Sequence, residues 1–360
     1  MTAPEKAASE SELVNLEPLQ DLDRQLLQLL LKRWQLAQSC SGTAIEWMGA
    51  SNAFFPTILG ETELPAGLEE ESIAAWLRHT ASLCKHPDVN SRVAYLGPKF
   101  SYSYLATTKF FGDAAPLAPV DTIEAVFEAV ACGDCHAGVV PIENSTDGRI
   151  VDTLGMLVKH RLGICGEVLL PIHHNLLCLG GRETIVKVCS KPQALSQCRQ
   201  WLARHLPQAE LSAVASTTEA ARMASEQPGV AAVASAEAAR QYGLQVVDSK
   251  IEDNRNNVTR FAILGTATPA PTGRDKTTML FQVTHKPGAL ADAMGIFRDR
   301  DLNLTWIESF PIPGQKAEYF FFVEAEGHRD EPKMRDAVSA LKQQSLRLDV
   351  LGSYPVGTIS

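Results

Sequence analysis

The sequence predicts an α/β protein of two successive folded parts behind a helical N-terminal segment. Three observations predict it. Between residue 92 and about residue 265, short apolar runs alternate with amphipathic helical stretches, which is the pattern of parallel βαβ units with helices on both faces of a sheet. Thr266 to Lys276 is rich in Pro and Thr, shows no period and reads as a linker. Beyond it, a unit of about 80 residues reads βαββαβ, the ferredoxin-like order.

The elements follow in order. Leucines recur at 16, 19, 22, 26, 29 and 30, followed by Trp34 and Ala37, so one face of a helix is apolar. Pro18 is comfortable only in a first turn, which places the helix start near Glu17. Ser39 to Gly67 is rich in Gly, Ser, Ala and Pro, holds Phe54, Phe55 and Pro56 without a clean period, and is expected to be loop. A second helix is expected from about Leu68 to Cys84, with His86-Pro87-Asp88 as a linker.

The alternation then begins with the strand Val93 to Leu96. Asp121 and Glu124 have capping-box spacing ahead of the apolar face Ile123, Val126, Phe127 and Val130. A strand Ala137 to Ile142, a polar turn and a helix from about Ile150 to His160 come next. The second round reads as strand Ile185 to Cys189, helix Gln193 to His205, strand Leu211 to Ala215, a Ser216/Glu219 cap, strand Val230 to Ala234 and a helix ending at Gly243. This stretch can form one large domain or two lobes across a cleft, with ligands at the carboxyl ends of strands. The final unit is strand Thr278 to Thr284, helix Ala289 to Arg298, strands Leu302 to Phe310 and Glu318 to Ala325, helix Pro332 to Gln344 and strand Leu346 to Leu351.

Composition narrows the function. The 33 Lys plus Arg and 42 Asp plus Glu of this 360-residue chain leave a net charge of -9, which favours neither nucleic acid nor an anionic membrane as partner. Apolar runs such as Leu26 to Leu31 and Tyr319 to Val323 fall well short of the ~20 residues of a membrane helix. The polar, acidic start MTAPEKAASESEL has no signal-peptide core, so a cytoplasmic protein is expected. Its eight irregularly spaced cysteines fit reduced, mostly buried thiols. Cys132-Gly133-Asp134-Cys135-His136 fits the haem-attachment spacing, but it lies where a helix must turn into a strand, and the turn reading is preferred.

No metal or cofactor is expected. His173 and His174 are adjacent, so on a strand they point to opposite faces and cannot share one ion. No phosphate-binding loop, dinucleotide glycine turn or hydrolase nucleophile elbow is present. Three polar clusters stand at predicted strand ends instead: Pro141 to Gly148 (PIENSTDG), Ser190 to Gln193 (SKPQ), and Asn256 to Phe261 (NNVTRF). Each alone reads as a cap or turn; three at matching positions point to a cleft that binds an anion.

Residues 92 to 265 resemble prephenate dehydratase. The resemblance rests on Val93-Ala94-Tyr95-Leu96-Gly97-Pro98 with Ser101-Tyr102-Ser103, on Val139 to Gly148, Gly166-Glu167, Pro192-Gln193-Ala194-Leu195, and Ile251 to Asn254 leading to Thr259-Arg260-Phe261. The C-terminal unit resembles an ACT regulatory domain through Lys286-Pro287-Gly288-Ala289-Leu290, Asn303-Leu304-Thr305 and Glu308-Ser309. The N-terminal 90 residues resemble a degraded chorismate mutase segment, as in bacterial bifunctional chorismate mutase/prephenate dehydratases.

The resemblance implies a helical segment over 1–90, a two-lobed, periplasmic-binding-protein-like α/β domain over 91–266 (lobe 1 about 91–170 and 246–266, lobe 2 about 171–245), and an ACT domain over 276–355. It implies cofactor-free loss of water and CO2 from prephenate to give phenylpyruvate, for phenylalanine synthesis. Thr259 is expected at the leaving hydroxyl and Arg260 near a substrate carboxylate, with Ser101, Asn144, Ser145, Gln193 and Phe261 lining the cleft. Gly288, Ala289, Leu290, Glu308 and Ser309 are expected to hold an amino-acid effector, such as L-phenylalanine, in a homodimer or homotetramer. With few cations to spare, Arg260 and Lys191 are expected to mark the anion site.

The sequence departs from the family at informative positions. Phe100 replaces a usual glycine, Tyr104 and Lys191 stand where histidines are frequent, and the ACT pattern Glu-Ser-Arg-Pro reads Glu308-Ser309-Phe310-Pro311. Of the mutase cations only Arg33 survives, with Leu16 and Ala44 at the other two positions and Ala53 to Thr57 in place of an Asp-x-x-Arg-Glu element. Mutase activity is therefore expected to be absent. The alternatives are a full bifunctional enzyme, an arogenate dehydratase, and a non-catalytic carboxylate sensor.

Overall fold

The computed structural model describes residues 17–85, 91–312 and 318–358. The expectations for MTAPEKAASESEL, Leu16 and His86-Pro87-Asp88 lie outside the described residues. The chain divides into two compact units, one ending at Ser41 and one beginning at Gly42. The first is helix α1 (Glu17–Ser39), which starts where Pro18 predicts. Its apolar residues Leu22, Leu26, Leu29 and Trp34 are exposed.

The second unit opens with helices α2 (Ala44–Gly60) and α3 (Glu70–Lys85). Helix α2 overturns the expected loop. Thr43 and Glu46 form a reciprocal capping box, and Ile45, Met48, Phe55 and Leu59 are buried along one face. The period was hidden because small residues such as Gly49, Ala50 and Ser51 fill the turns between these anchors.

A six-stranded sheet follows, built from β1 (Val93–Leu96), α4 (Tyr102–Phe111), β2 (Leu117–Val120), α5 (Ile123–Ala131), β3 (Ala137–Asn144), β4 (Gly148–Arg149), α6 (Val151–Lys159) and β5 (Gly163–Pro171). The N-cap of α5 is Thr122, whose hydroxyl accepts from Ala125 N at 3.0 Å, and not Asp121, because the helix starts at Ile123. The chain then crosses to a second sheet: β6 (Asn175–Cys178), β7 (Lys187–Ser190), α7 (Pro192–Gln197), α8 (Arg199–His205), β8 (Glu210–Ala213), α9 (Thr217–Glu226), β9 (Val230–Ala234), α10 (Ala236–Tyr242) and β10 (Gln245–Asp248). The helix expected from Gln193 to His205 is two helices. The Asp253 carboxylate accepts from the backbone N–H groups of Gln200 and Trp201 and so caps α8 separately.

Strand β11 (Val258–Gly265) returns to the first sheet, whose order is β2-β1-β3-β11-β5 with β4 on β3; the second is β10-β6-β9-β7-β8. Both are mixed rather than parallel. Entering from the second lobe, β11 runs antiparallel to β3 and β5, and β6 runs antiparallel to β9 and β10. Because β10 pairs in the second sheet, that lobe extends to Asp248, past the expected 245.

The C-terminal unit is β12 (Asp275–Gln282), α11 (Ala289–Arg298), β13 (Leu304–Pro311), β14 (Tyr319–Glu326), α12 (Pro332–Gln344) and β15 (Arg347–Pro355), with sheet order β13-β14-β12-β15 and both helices as the sequence predicts. One face of this sheet packs on α11 and α12 through Met279, Phe281, Phe297 and Met334. The other contributes Leu280, Phe322, Leu351 and Tyr354 to a core shared with Val126, Phe127, Leu154 and Leu264 of the first lobe. The two parts are therefore fused through apolar burial. Six of the eight cysteines are buried, and Cys132 ends α5 ahead of the Gly133 turn.

Candidate functional site

The first and third polar clusters converge where β3 ends and β11 begins. The antiparallel register sets Asn144 opposite Thr259. Asn144 Nδ2 donates to Thr259 Oγ1 at 2.8 Å and to Asn257 Oδ1 at 2.9 Å. Its Oδ1 accepts from the backbone N–H groups of Thr146 and Asp147, which folds the loop back on itself. The Thr259 hydroxyl is thus fixed as an acceptor, and its own proton has no acceptor among the described residues. Asn257 is two residues before Thr259 and shares its face of the strand, a spacing the sequence displayed.

The second cluster reaches the same place from the other lobe. Gln193 and Gln197 lie four residues apart on α7, so both amides point one way. Both donate to Asp147 Oδ2, Gln197 at 2.8 Å. Gln197 Oε1 accepts from Asn257 Nδ2 at 3.1 Å and lies 2.8 Å from His174 Nε2, while His174 Nδ1 lies 3.0 Å from the Tyr102 hydroxyl. A continuous hydrogen-bonded path therefore runs from Thr259 through Asn144, Asn257 and Gln197 to His174 and Tyr102. Burial holds the His174 pKa below its ordinary value against the opposing effects of Gln197 and Glu252, so the ring is neutral near pH 7. Burial also pushes the Tyr102 pKa well above its ordinary value.

The sequence reading missed Asp147, Gln197, His174 and Tyr102 as site residues. His173 and His174 do separate, His173 to Glu252 at 2.8 Å and His174 into the path. No group of three His, Cys, Asp or Glu suited to a metal occurs among the described residues.

Arg260 does not join this cluster. Strand alternation sends it to the back of the sheet, where Nε lies 3.2 Å from Glu143 and Nη1 lies 3.4 Å from Glu167 and bonds Glu324 of β14. Its Cζ lies 5.1 Å from the Trp306 ring centroid, and Lys276 closes the network at 3.0 Å from Glu167. Burial would push the Glu324 carboxyl up, but Arg260 and Lys276 outweigh it and hold the pKa below its ordinary value. Removing one member of such a buried cluster costs roughly 3–5 kcal/mol. Arg260, expected near a substrate carboxylate, is thus engaged by an ion cluster shared with the C-terminal unit.

The remaining expected residues divide. Phe261 is buried in the core with Tyr95, Phe110 and Phe111, below the cleft. Ser101 caps α4, accepting from Tyr104 N and donating to Leu96 O. Ser145 bridges the two strand ends, donating to Asn256 O at 3.1 Å and accepting from Val258 N at 2.9 Å. Lys191 is exposed and stands at the N-cap position of α7. Phe100 has φ +68°, the left-handed conformation that favours the glycine it replaces, and Lys99 Nζ lies 5.1 Å from its ring centroid. Tyr104 stands 5.2 Å from Phe100, ring to ring. Gly288, with φ +85°, opens α11 ahead of Ala289 and Leu290. On β13, Ser309 is exposed and Glu308 is ion-paired with Arg149 of β4.

The family model described as prephenate dehydratase matches residues 93–269, and that of the ACT domain matches residues 277–343. A bifunctional chorismate mutase/prephenate dehydratase of Pseudomonas aeruginosa is 37% identical over 348 residues, covering 94% of this chain and 95% of its own. Among solved structures, a prephenate dehydratase of Arthrobacter aurescens in complex with L-Phe is 33% identical, with a TM-score of 0.69 over 74% of this chain and 90% of that one. A protein described as a novel type of quorum quenching acylase is 29% identical, with a TM-score of 0.67 over 74% of this chain and 98% of that one. The chain belongs to the prephenate dehydratase family and carries a prephenate dehydratase domain followed by an ACT domain.

Proposed function

We propose that the chain converts prephenate to phenylpyruvate, with Thr259 at the leaving hydroxyl. The observation that carries this is the Asn144–Thr259 hydrogen bond. By donating to Thr259 Oγ1, Asn144 leaves the hydroxyl proton as the one that can be offered outward. As the ring carboxylate departs as CO2, its bonding electrons pass into the ring and expel the hydroxyl, so a donor at that oxygen stabilises charge that grows in the transition state. A threonine is too weak an acid to lose its proton, so it orients and hydrogen-bonds the leaving oxygen, and aromatisation drives the step. Asn257, Gln197 and Gln193 hold the cleft face, and Lys191 supplies the cation for the dianion. Of the expected lining residues, Ser101 and Ser145 act by shaping the loops.

The division into a helical segment (1–90), a dehydratase domain (91–266) and an ACT domain (276–355) belongs to the same reading. Chorismate mutase activity is absent, because Ala53 to Thr57 lies within α2 without a carboxylate or a cation and Phe55 is buried. L-Phenylalanine acts through the ACT domain at Gly288 to Leu290 and Glu308-Ser309, in a homodimer or homotetramer in the cytoplasm. The L-Phe complex of the Arthrobacter relative supports L-phenylalanine as the ligand. No helix among the described residues is long and apolar enough to cross a membrane.

The test offers chorismate, prephenate and arogenate separately to purified protein, with and without L-phenylalanine. Phenylpyruvate from prephenate, with chorismate untouched, is the expected result. Turnover of chorismate at an enzymatic rate contradicts the mutase reading, and a preference for arogenate reassigns the substrate.

A further inference from the structure

Asn144 and Thr259 are cross-strand partners, and the next pair in the ladder is Glu143 and Arg260. The first pair is hydrogen-bonded on the cleft face; the second is ion-paired on the back. The β3–β11 register shifts directly after Arg260, so the local aim of the strand depends on how that residue is held. What holds it comes from another domain. Glu324 on ACT strand β14 is 1% exposed and binds Arg260 Nη1. Its carboxylate is fixed in turn by the Tyr354 hydroxyl at 3.2 Å, the Thr278 hydroxyl at 3.3 Å and Lys276 Nζ at 3.6 Å. Arg260 Nη2 is buried with no hydrogen-bond partner, and on Nη1 the Glu167 carboxylate stands farther off, at 3.4 Å, so Glu324 is the tighter hold at this end of the guanidinium.

We propose that Glu324 is a positioning residue for the dehydration: through Arg260 it fixes, from the back of the sheet, the setting of the Asn144–Thr259 pair on the front. This rests on the reading of Thr259 given above. The ACT domain thereby becomes part of the catalytic framework, and any shift of β14 against β11 reaches the reacting hydroxyl through one side chain. The transition state is more sensitive to a small misplacement of Thr259 than substrate binding is, so the effect falls on kcat.

The experiment compares the full chain with its Glu324→Gln, Glu324→Asp and Lys333→Ala variants, the last removing an exposed ACT ion pair. With thermal midpoints above the assay temperature, Glu324→Gln lowers kcat for prephenate about tenfold to a hundredfold with KM nearly unchanged. Glu324→Asp restores part of the loss, and Lys333→Ala matches the parent. Backbone hydrogen exchange at residues 143–145 and 258–261 speeds up in Glu324→Gln, while β1 keeps its protection. Unchanged kcat per folded molecule overturns the proposal. If the parent forms no phenylpyruvate, the function reading fails and exchange alone decides, unchanged protection at those residues again overturning it. Should Glu324→Gln not fold, Glu324→Asp carries both readouts, with a smaller drop in kcat and faster exchange expected.

Discussion

Thr259 and Arg260 are neighbours with opposite surroundings. One has its hydroxyl held at the cleft, and the other is buried in an ion cluster behind it. Read as a string, Thr259-Arg260-Phe261 suggests three site residues; the two-residue period of a strand turns Arg260 to the opposite face, and Phe261, on the same face as Thr259, is packed into the core below the cleft. The types were legible, but the third dimension that separates them was not, because the partners of Arg260 come from residues 143, 167 and 324. His174 has a consequence of its own. Its folded pKa lies below the ordinary 6.5, so above that pH both folded and unfolded rings are neutral and contribute nothing. As pH falls from 6.5, the unfolded ring takes up a proton that the folded ring refuses, and stability drops. Glu324 adds a second loss at lower pH: its folded pKa lies below the ordinary 4.5, so its contribution is full above 4.5 and disappears as pH falls through the folded value. Denaturant midpoints at pH 7, 5.5 and 4 therefore show two successive declines. His174→Asn abolishes the first alone.

Among elements, α11 and α12 were legible and stand at the bounds the sequence predicts, Ala289–Arg298 and Pro332–Gln344. Helix α2 escaped because its buried face is only four large residues separated by Gly49, Asn52 and Pro56. The mixed sheets escaped for a different reason: strand direction is set by where the chain crosses between lobes, which alternation alone does not encode. The short strand β4 matters beyond its length. It pairs with β3 beside Asn144, and Arg149 on it is ion-paired with Glu308 of β13. Both side chains are partly exposed, so the pair contributes at most about 1 kcal/mol to stability. As a link between the expected effector strand and the cleft loop it can carry more. Arg149→Ala is expected to shift the thermal midpoint little and to shrink the change in rate produced by L-phenylalanine several-fold, read from initial rates with and without the amino acid. Phe310, in place of the family arginine, lies against Gly155 of α6 and strengthens the same seam by apolar contact.

At the scale of the whole molecule, the ACT domain shares its core with the first lobe. Composition allowed for a linker and an independent module; the linker is present, but Leu280, Phe322 and Tyr354 face the dehydratase sheet. Gly352 shows how close the approach is, since a Cβ there would fall on the Ile164 carbonyl oxygen of β5. Gly352→Ala is expected to destabilise by about 2 kcal/mol or more, read from the denaturant midpoint, because backbone has to move to accommodate it. The central claim is that this fused framework presents Thr259 to a leaving hydroxyl. Steady-state formation of phenylpyruvate from prephenate by the parent chain and by Thr259→Ala tests it most directly. A parent that turns over, with a variant whose kcat falls about 10²- to 10⁴-fold at nearly unchanged KM, is the predicted result. An active parent with an equally active variant would contradict it.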